Sequence, residues 1–185
     1  LETVLMRLAR GSGVDGLSAI RSANGHILRP LLGFTKDELI SICAAAGLNP
    51  VEDPSNANTD FERVAMRNWL ANTQHPFRAD RAGRTASAMA DASEALNWMT
   101  ETLAQERVQR ETGAVMCDAR DVPREIQRRL LIHCLQLLEP ELAPRGDAID
   151  RLLSELSDGR TATMGAVKCE GGDNWRFTMA PPRRN

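Results

Sequence analysis

From Met89 to Leu103 the apolar residues Met89, Ala92, Leu96, Met99 and Leu103 step by 3, 4, 3 and 4 positions, the period of one helical face. This stripe predicts one long amphipathic helix over roughly 80–112, closed by Gly113, with its apolar side in a core rather than around a cofactor. So long a helix commits much of a 185-residue chain to helical packing. Downstream, Ile126, Leu130, Leu131, Cys134, Leu137 and Leu138 define a second buried helical face that stops before Pro140. His133 shares that face and reads as a core histidine. Asp147 is the expected cap of a third helix, with Ile149, Leu152, Leu153 and Leu156 facing inward.

The ending changes period. Trp175, Phe177 and Met179 alternate with Arg176 and Thr178, and Thr161 to Cys169 precedes them across a Glu170-Gly171-Gly172-Asp173-Asn174 turn, so a β-hairpin is expected, followed by a loose tail. Ala114 to Cys117 is a candidate short strand.

The first third reads differently. Leu1, Val4, Leu5 and Leu8 recur at helical spacing until Gly11-Ser12-Gly13 stops them. The chain opens inside this pattern, without an initiator Met or a cap, and so reads as the remainder of a longer protein. His26 to Leu32 is an apolar run ended around Pro30, compatible with a buried strand leaving a parallel sheet. Thr35 and Glu38 form a capping box for a helix carrying Leu39, Ile40, Ile42 and Cys43, with Gly47 as its stop. Val51 to Asn56 is polar and proline-broken, an ordered loop. Thr59 and Glu62 suggest a second capping box, launching a helix to about Asn72 with Arg63 and Arg67 one turn apart on one face. His75-Pro76-Phe77 then breaks the chain.

Charge narrows the partners. The formal net charge is -2, so nucleic acid cannot be attracted by a basic chain as a whole and needs a local patch. The span from Phe61 to Arg84 is one, with Arg63, Arg67, Arg78, Arg81 and Arg84 against Glu62 and Asp80, a net of +3. Few aromatics interleave it, which favours phosphate and shape contacts over base stacking. No apolar run nears the roughly 18 residues of a membrane span, so a cytoplasmic chain is expected. The four cysteines make no CxxC pair, which speaks against a zinc site or a thiolation enzyme and for reduced thiols in a core.

Four segments go further when taken in order. Leu1-Glu2-Thr3-Val4-Leu5-Met6-Arg7-Leu8-Ala9-Arg10-Gly11-Ser12-Gly13, then Arg29-Pro30-Leu31-Leu32, then Glu52-Asp53-Pro54-Ser55-Asn56, then Arg63 to Arg67, resemble the tRNA(Ile)-lysidine synthetase family over roughly the first 70 residues. The resemblance implies an ATP-dependent ligase of the PP-loop superfamily. In that family ATP adenylates C2 of the wobble cytidine of a minor isoleucine tRNA, and the amine of free lysine displaces AMP to give lysidine. The family's phosphate-binding Ser-Gly-Gly-x-Asp-Ser loop would lie upstream of Leu1, and Val64 stands where the family commonly has Asn after Arg63. The chain by itself is therefore expected to be inactive.

By that resemblance Glu2 faces the adenylation site and holds Mg2+ or lysine; otherwise it is an ordinary first-turn carboxylate favoured by the helix dipole. Gly11, Ser12 and Gly13 offer backbone N–H groups to the nucleotide, or are simply a turn. Arg63 and Arg67 reach phosphate as catalytic cations, or pair with Glu52 and Asp53. Asp53 and Asn56 are candidate substrate-binding residues, and Arg78, Arg81 and Arg84 candidate contacts to tRNA phosphates. ATP and Mg2+ are the implied cofactors, tRNA and lysine the implied partners, with no membrane.

The expected architecture is mainly α with minor β: the trailing edge of an α/β PP-loop domain over 1–75, a helical tRNA-binding domain over 76–160, and a β-hairpin with a loose tail over 161–185. The apolar face at the N-terminal end offers a route to non-native dimerisation. The alternative function is a non-catalytic helical RNA-binding or interaction module.

Overall fold

The computed structural model describes residues 1–18, 23–24, 26–51 and 61–181. It is mainly helical with small antiparallel sheets, as the patterning predicts, and the chain divides inside the long helix into two compact units, Leu1–Ser93 and Glu94–Asn185.

Unit 1 begins with α1 (Glu2–Ala9) and the one-turn α2 (Val14–Leu17), then β1 (Ala23–Asn24), β2 (Ile27–Leu28), α3 (Lys36–Ala45), α4 (Glu62–Asn72) and the first half of α5 (Ala79–Arg107). α1 ends as the glycine signal predicts: Gly11 takes φ +67°, its N–H donates to Leu8 O at 3.0 Å, and the Ser12 N–H donates to Arg7 O at 3.0 Å. Both bonds satisfy carbonyls that a helix C-terminus leaves open. The capping box at Thr35 is present, with the Thr35 N–H donating to Glu38 Oε2 at 2.7 Å and the Glu38 N–H donating to Thr35 Oγ1 at 3.3 Å.

Two expectations in this unit need correction. β2 is two residues long and pairs antiparallel with β1, and Ile27 and Leu28 are exposed; among the described residues there is no parallel strand to bury them. α4 begins at Glu62 with Phe61 at its cap position, so Glu62 is the first helical residue rather than the third. Its carboxylate is free to pair with Arg10 instead. Thr59, with Asp53, Asn56 and the rest of 52–60, lies outside the described residues.

Unit 2 contains the second half of α5, β3 (Val108–Glu111), β4 (Ala114–Cys117), α6 (Arg124–Leu138), α7 (Gly146–Ser157), β5 (Thr161–Met164), β6 (Val167–Glu170) and β7 (Trp175–Met179). The expected hairpin is present as β6–β7, but it belongs to a five-stranded antiparallel sheet of order β3-β4-β7-β6-β5. α5 stops at Arg107, five residues before the expected end at Thr112, because Val108–Glu111 pairs with Ala114–Cys117 across a Thr112–Gly113 turn. Gly113, at φ +79°, therefore makes that turn rather than ending the helix.

The core forms where α6 and α7 cover one face of the sheet. Ile126, Leu130, Leu131, Ile149, Leu153, Leu156, Val167 and Phe177 are all within 2% of complete burial, each contributing on the order of 1.5–3 kcal/mol. Cys117, Cys134 and Cys169 lie in this core as free thiols, and burial pushes the Cys169 thiol up to about 11. The α5 stripe is rotated from its expected position: Met99 is 44% exposed and Ala92 is exposed, while Ser93, Thr100 and Ala104 are buried with Leu96 and Leu103 packed against the core. Thr100 tolerates burial because its hydroxyl donates to Leu96 O at 2.7 Å. α7 is capped at Arg145, so Asp147 sits in the first turn without capping it, and pairs with Arg151 at 3.5 Å. His133 is half-buried, its pKa lowered chiefly by burial, and no group of three or more His, Cys, Asp or Glu is placed to hold a metal among the described residues.

Candidate functional site

α1 and α4 pack together within unit 1: Glu2 at the start of α1 meets Arg63 and Arg67 of α4, while Arg10 beyond its end pairs with Glu62. Val64 is the buried residue of α4. The helical spacing that puts Arg63 and Arg67 on one face therefore presents both guanidiniums to one carboxylate.

Arg67 Nε donates to Glu2 Oε1 at 2.9 Å, and Arg63 Nε lies 3.7 Å from Glu2 Oε2. Arg63 Nη2 also donates to Thr3 Oγ1 at 2.8 Å. The bond to Glu2, with its charge, holds the Arg67 guanidinium above its ordinary pKa. Glu2 is the less exposed partner, its side chain 25% exposed against 52% and 46% for Arg63 and Arg67. One carboxylate set between two guanidiniums leaves a surplus positive charge facing solvent, suited to an anion such as phosphate.

Sequence reasoning thus named three residues that the fold brings together. It paired the arginines with Glu52 and Asp53 as the alternative; the partner within the described residues is Glu2. Thr3 and the Arg10–Glu62 pair were not anticipated, because their roles depend on how two helices distant in sequence meet.

The glycine loop is occupied by its own fold. With the Gly11 and Ser12 N–H groups already bonded, neither is a free donor for a nucleotide. Gly13 caps the one-turn α2 with an extended backbone, and Arg7 Nη1 donates to Gly16 O at 2.7 Å, tying the loop back onto α1. Mg2+ is poorly served as well: both Glu2 oxygens face arginines. The described residues do not fit a magnesium ion by themselves, whereas Arg63 and Arg67 fit the phosphate end of a nucleotide.

The second cluster is basic. Arg78 Nε donates to Asp80 Oδ1 at 3.1 Å and Arg84 Nη2 lies 3.8 Å from Asp80 Oδ2, with both arginine side chains well exposed. Two guanidiniums again share one carboxylate, and Arg81 adds a third cation at the start of α5.

Residues 1–74 match a family model described as a PP-loop domain. Along its length the chain is 37% identical to the tRNA(Ile)-lysidine synthase of Zymomonas mobilis, over 99% of this chain and 58% of that protein. It is 36% identical to the tRNA(Ile)-lysidine synthase of Novosphingobium aromaticivorans, over 100% of this chain and 58% of that protein. Over nearly its whole length the chain is similar to tRNA(Ile)-lysidine synthases, and it spans about 58% of the length of these two relatives.

Proposed function

We propose that this chain is part of an ATP-dependent tRNA-modifying ligase that adenylates the wobble cytidine of a minor isoleucine tRNA and joins lysine to form lysidine. The observation that carries the reading is the Glu2–Arg63–Arg67 cluster, a cationic site inside the PP-loop region. ATP, when bound, supplies the adenylyl group. Arg63 and Arg67 would hold its phosphates and offset negative charge on the leaving pyrophosphate, the kind of fixed electrostatic support that lowers such barriers most. Glu2 keeps the two guanidiniums side by side, where alone they would repel.

Arg78, Arg81 and Arg84 are proposed to meet tRNA phosphates, and Asp53 and Asn56 to contact substrate. Lysine is the proposed amine donor, and the cytoplasm the proposed compartment. No described helix is long and apolar enough to cross a membrane. The apolar face of α1, with Leu1, Val4, Leu5 and Leu8 at helical spacing, is proposed as a surface for self-association.

The test is ATP-dependent incorporation of labelled lysine into a minor isoleucine tRNA transcript, by an enzyme carrying this chain and by its Arg67→Ala variant. A loss of about 100-fold in turnover is expected, the scale of one charge-stabilising group. Unchanged turnover would refute the role given to the cluster.

A further inference from the structure

α4 ends in an aromatic cluster that composition concealed. Trp69, His75 and Phe77 come together around the Pro76 break, with ring centroids 6.0 Å apart for Trp69 and His75, 5.9 Å for His75 and Phe77, and 6.5 Å for Trp69 and Phe77. The first two pairs are near-parallel, at 21° and 30°. His75 Nε2 donates to Leu70 O at 3.0 Å, which fixes the central ring against the end of α4. The outer rings remain open to solvent, Trp69 45% and Phe77 42% exposed, beside a shallow depression lined by Thr73, Gln74, His75 and Pro76.

Two large aromatic rings held half-exposed are costly in water unless something planar or apolar covers them. Arg78 follows Phe77 directly, and Arg81 and Arg84 follow in the +3 segment of a chain whose net charge is -2. Exposed aromatic faces with cations alongside match a nucleotide, whose base stacks while its phosphates meet arginine; a paired base already has both faces stacked and cannot use them.

We propose that Trp69, His75 and Phe77 form a stacking platform for an unpaired RNA base, with Arg78 and Arg81 receiving the flanking phosphates. This rests on the tRNA-binding reading above and adds to it a second mode of contact, to single-stranded rather than helical RNA. It departs from the expectation that phosphate and shape contacts are favoured over base stacking in this patch.

The experiment titrates the 185-residue chain with a stem–loop RNA carrying 2-aminopurine in its loop, and separately with the same strand annealed to its complement. The wild type is compared with Trp69→Leu, Phe77→Leu and Trp69→Phe, each first shown by circular dichroism to melt as the wild type does. The two Leu variants are expected to bind the stem–loop on the order of 10-fold more weakly with an unchanged salt slope, while Trp69→Phe retains affinity and duplex binding stays constant. Stem–loop affinity equal to wild type in both Leu variants overturns the platform but leaves RNA binding intact. Parallel loss of stem–loop and duplex binding makes the rings structural and also overturns it. Absence of binding to either RNA by the wild type overturns the platform and the tRNA reading together.

Discussion

Arg67 Nε and Glu2 Oε1 stand 2.9 Å apart although 65 residues separate them in sequence, and the same carboxylate reaches towards Arg63. The contact ties the first turn of α1 to the second turn of α4. It also sets the spacing of two cations that the proposed chemistry uses jointly.

Glu2→Gln keeps the side chain's shape and one acceptor but removes the charge that both guanidiniums share. Because the arginines are half-exposed, screening limits the stability loss to about 1 kcal/mol or less. Turnover of the enzyme carrying this chain should fall by about 100-fold with little change in tRNA affinity. Single-turnover lysidine formation measured beside filter binding checks the split, and a variant that is merely less stable would show Glu2 to be an ordinary helix-start carboxylate.

Replacing Arg78, Arg81 and Arg84 together with Ala should lower the slope of log affinity against log salt by about two to three, since each phosphate that is no longer neutralised removes roughly 0.7–0.9. The effect should be similar for all tRNA sequences, since phosphates carry no base identity. A filter-binding titration over a range of salt measures it, and an unchanged slope would exclude these arginines from the interface.

Local signals are legible in the sequence and encounters between elements are not. The Thr35–Glu38 box, the glycine stop at Gly11 and the inward face of α7 involve neighbours within a turn or two, so spacing reveals them. α5 ends earlier than its periodicity predicts because Val108–Glu111 gains more from pairing with β4 than from continuing the helix, a long-range choice that local propensity does not register. The burial of Arg129, 8% exposed and bonded to Glu125 and Asn97, has the same origin: its partner on α5 is 32 residues away. At the site, motif order names Glu2, Arg63 and Arg67 but not their mutual geometry. Counting few aromatics hides the fact that Trp69, His75 and Phe77 are neighbours.

Acid should weaken unit 2 through Asp118. Hydrogen bonds from the Arg120 side chain and backbone lower its pKa to about 2 from the ordinary 3.8. A carboxyl depressed in the folded state contributes its full stability above the unfolded value and loses it as pH falls through the folded one, so the window runs from about pH 4 down to about pH 2. The side chain is 35% exposed, and screening holds the contribution to about 1 kcal/mol or less. Urea midpoints measured across this window should converge for wild type and Asp118→Asn at the acid end and diverge above it; a constant difference would mean that the Arg120 contacts do not set the protonation of Asp118.

Gly13 and Gly16 separate two readings of the glycine loop. A Cβ at Gly16 would lie 2.5 Å from Ser12 Cβ and 3.0 Å from its Oγ, a clash that forces the loop off α1 and strains the bond from Arg7 to Gly16 O. Gly16→Ala should therefore destabilise unit 1 by about 1–3 kcal/mol, the scale of overpacking. Gly13 has φ -76° and ψ -165°, which alanine adopts freely, and nothing within 4 Å of an added Cβ. Gly13→Ala should leave the unfolding free energy from urea titration within about 0.5 kcal/mol of wild type. If it also leaves ATP affinity unchanged in the enzyme carrying this chain, the glycine there serves the turn. A large loss of ATP affinity at unchanged stability would instead mean that the nucleotide approaches this backbone closely, as the family motif suggested, despite the bonds already made by Gly11 and Ser12.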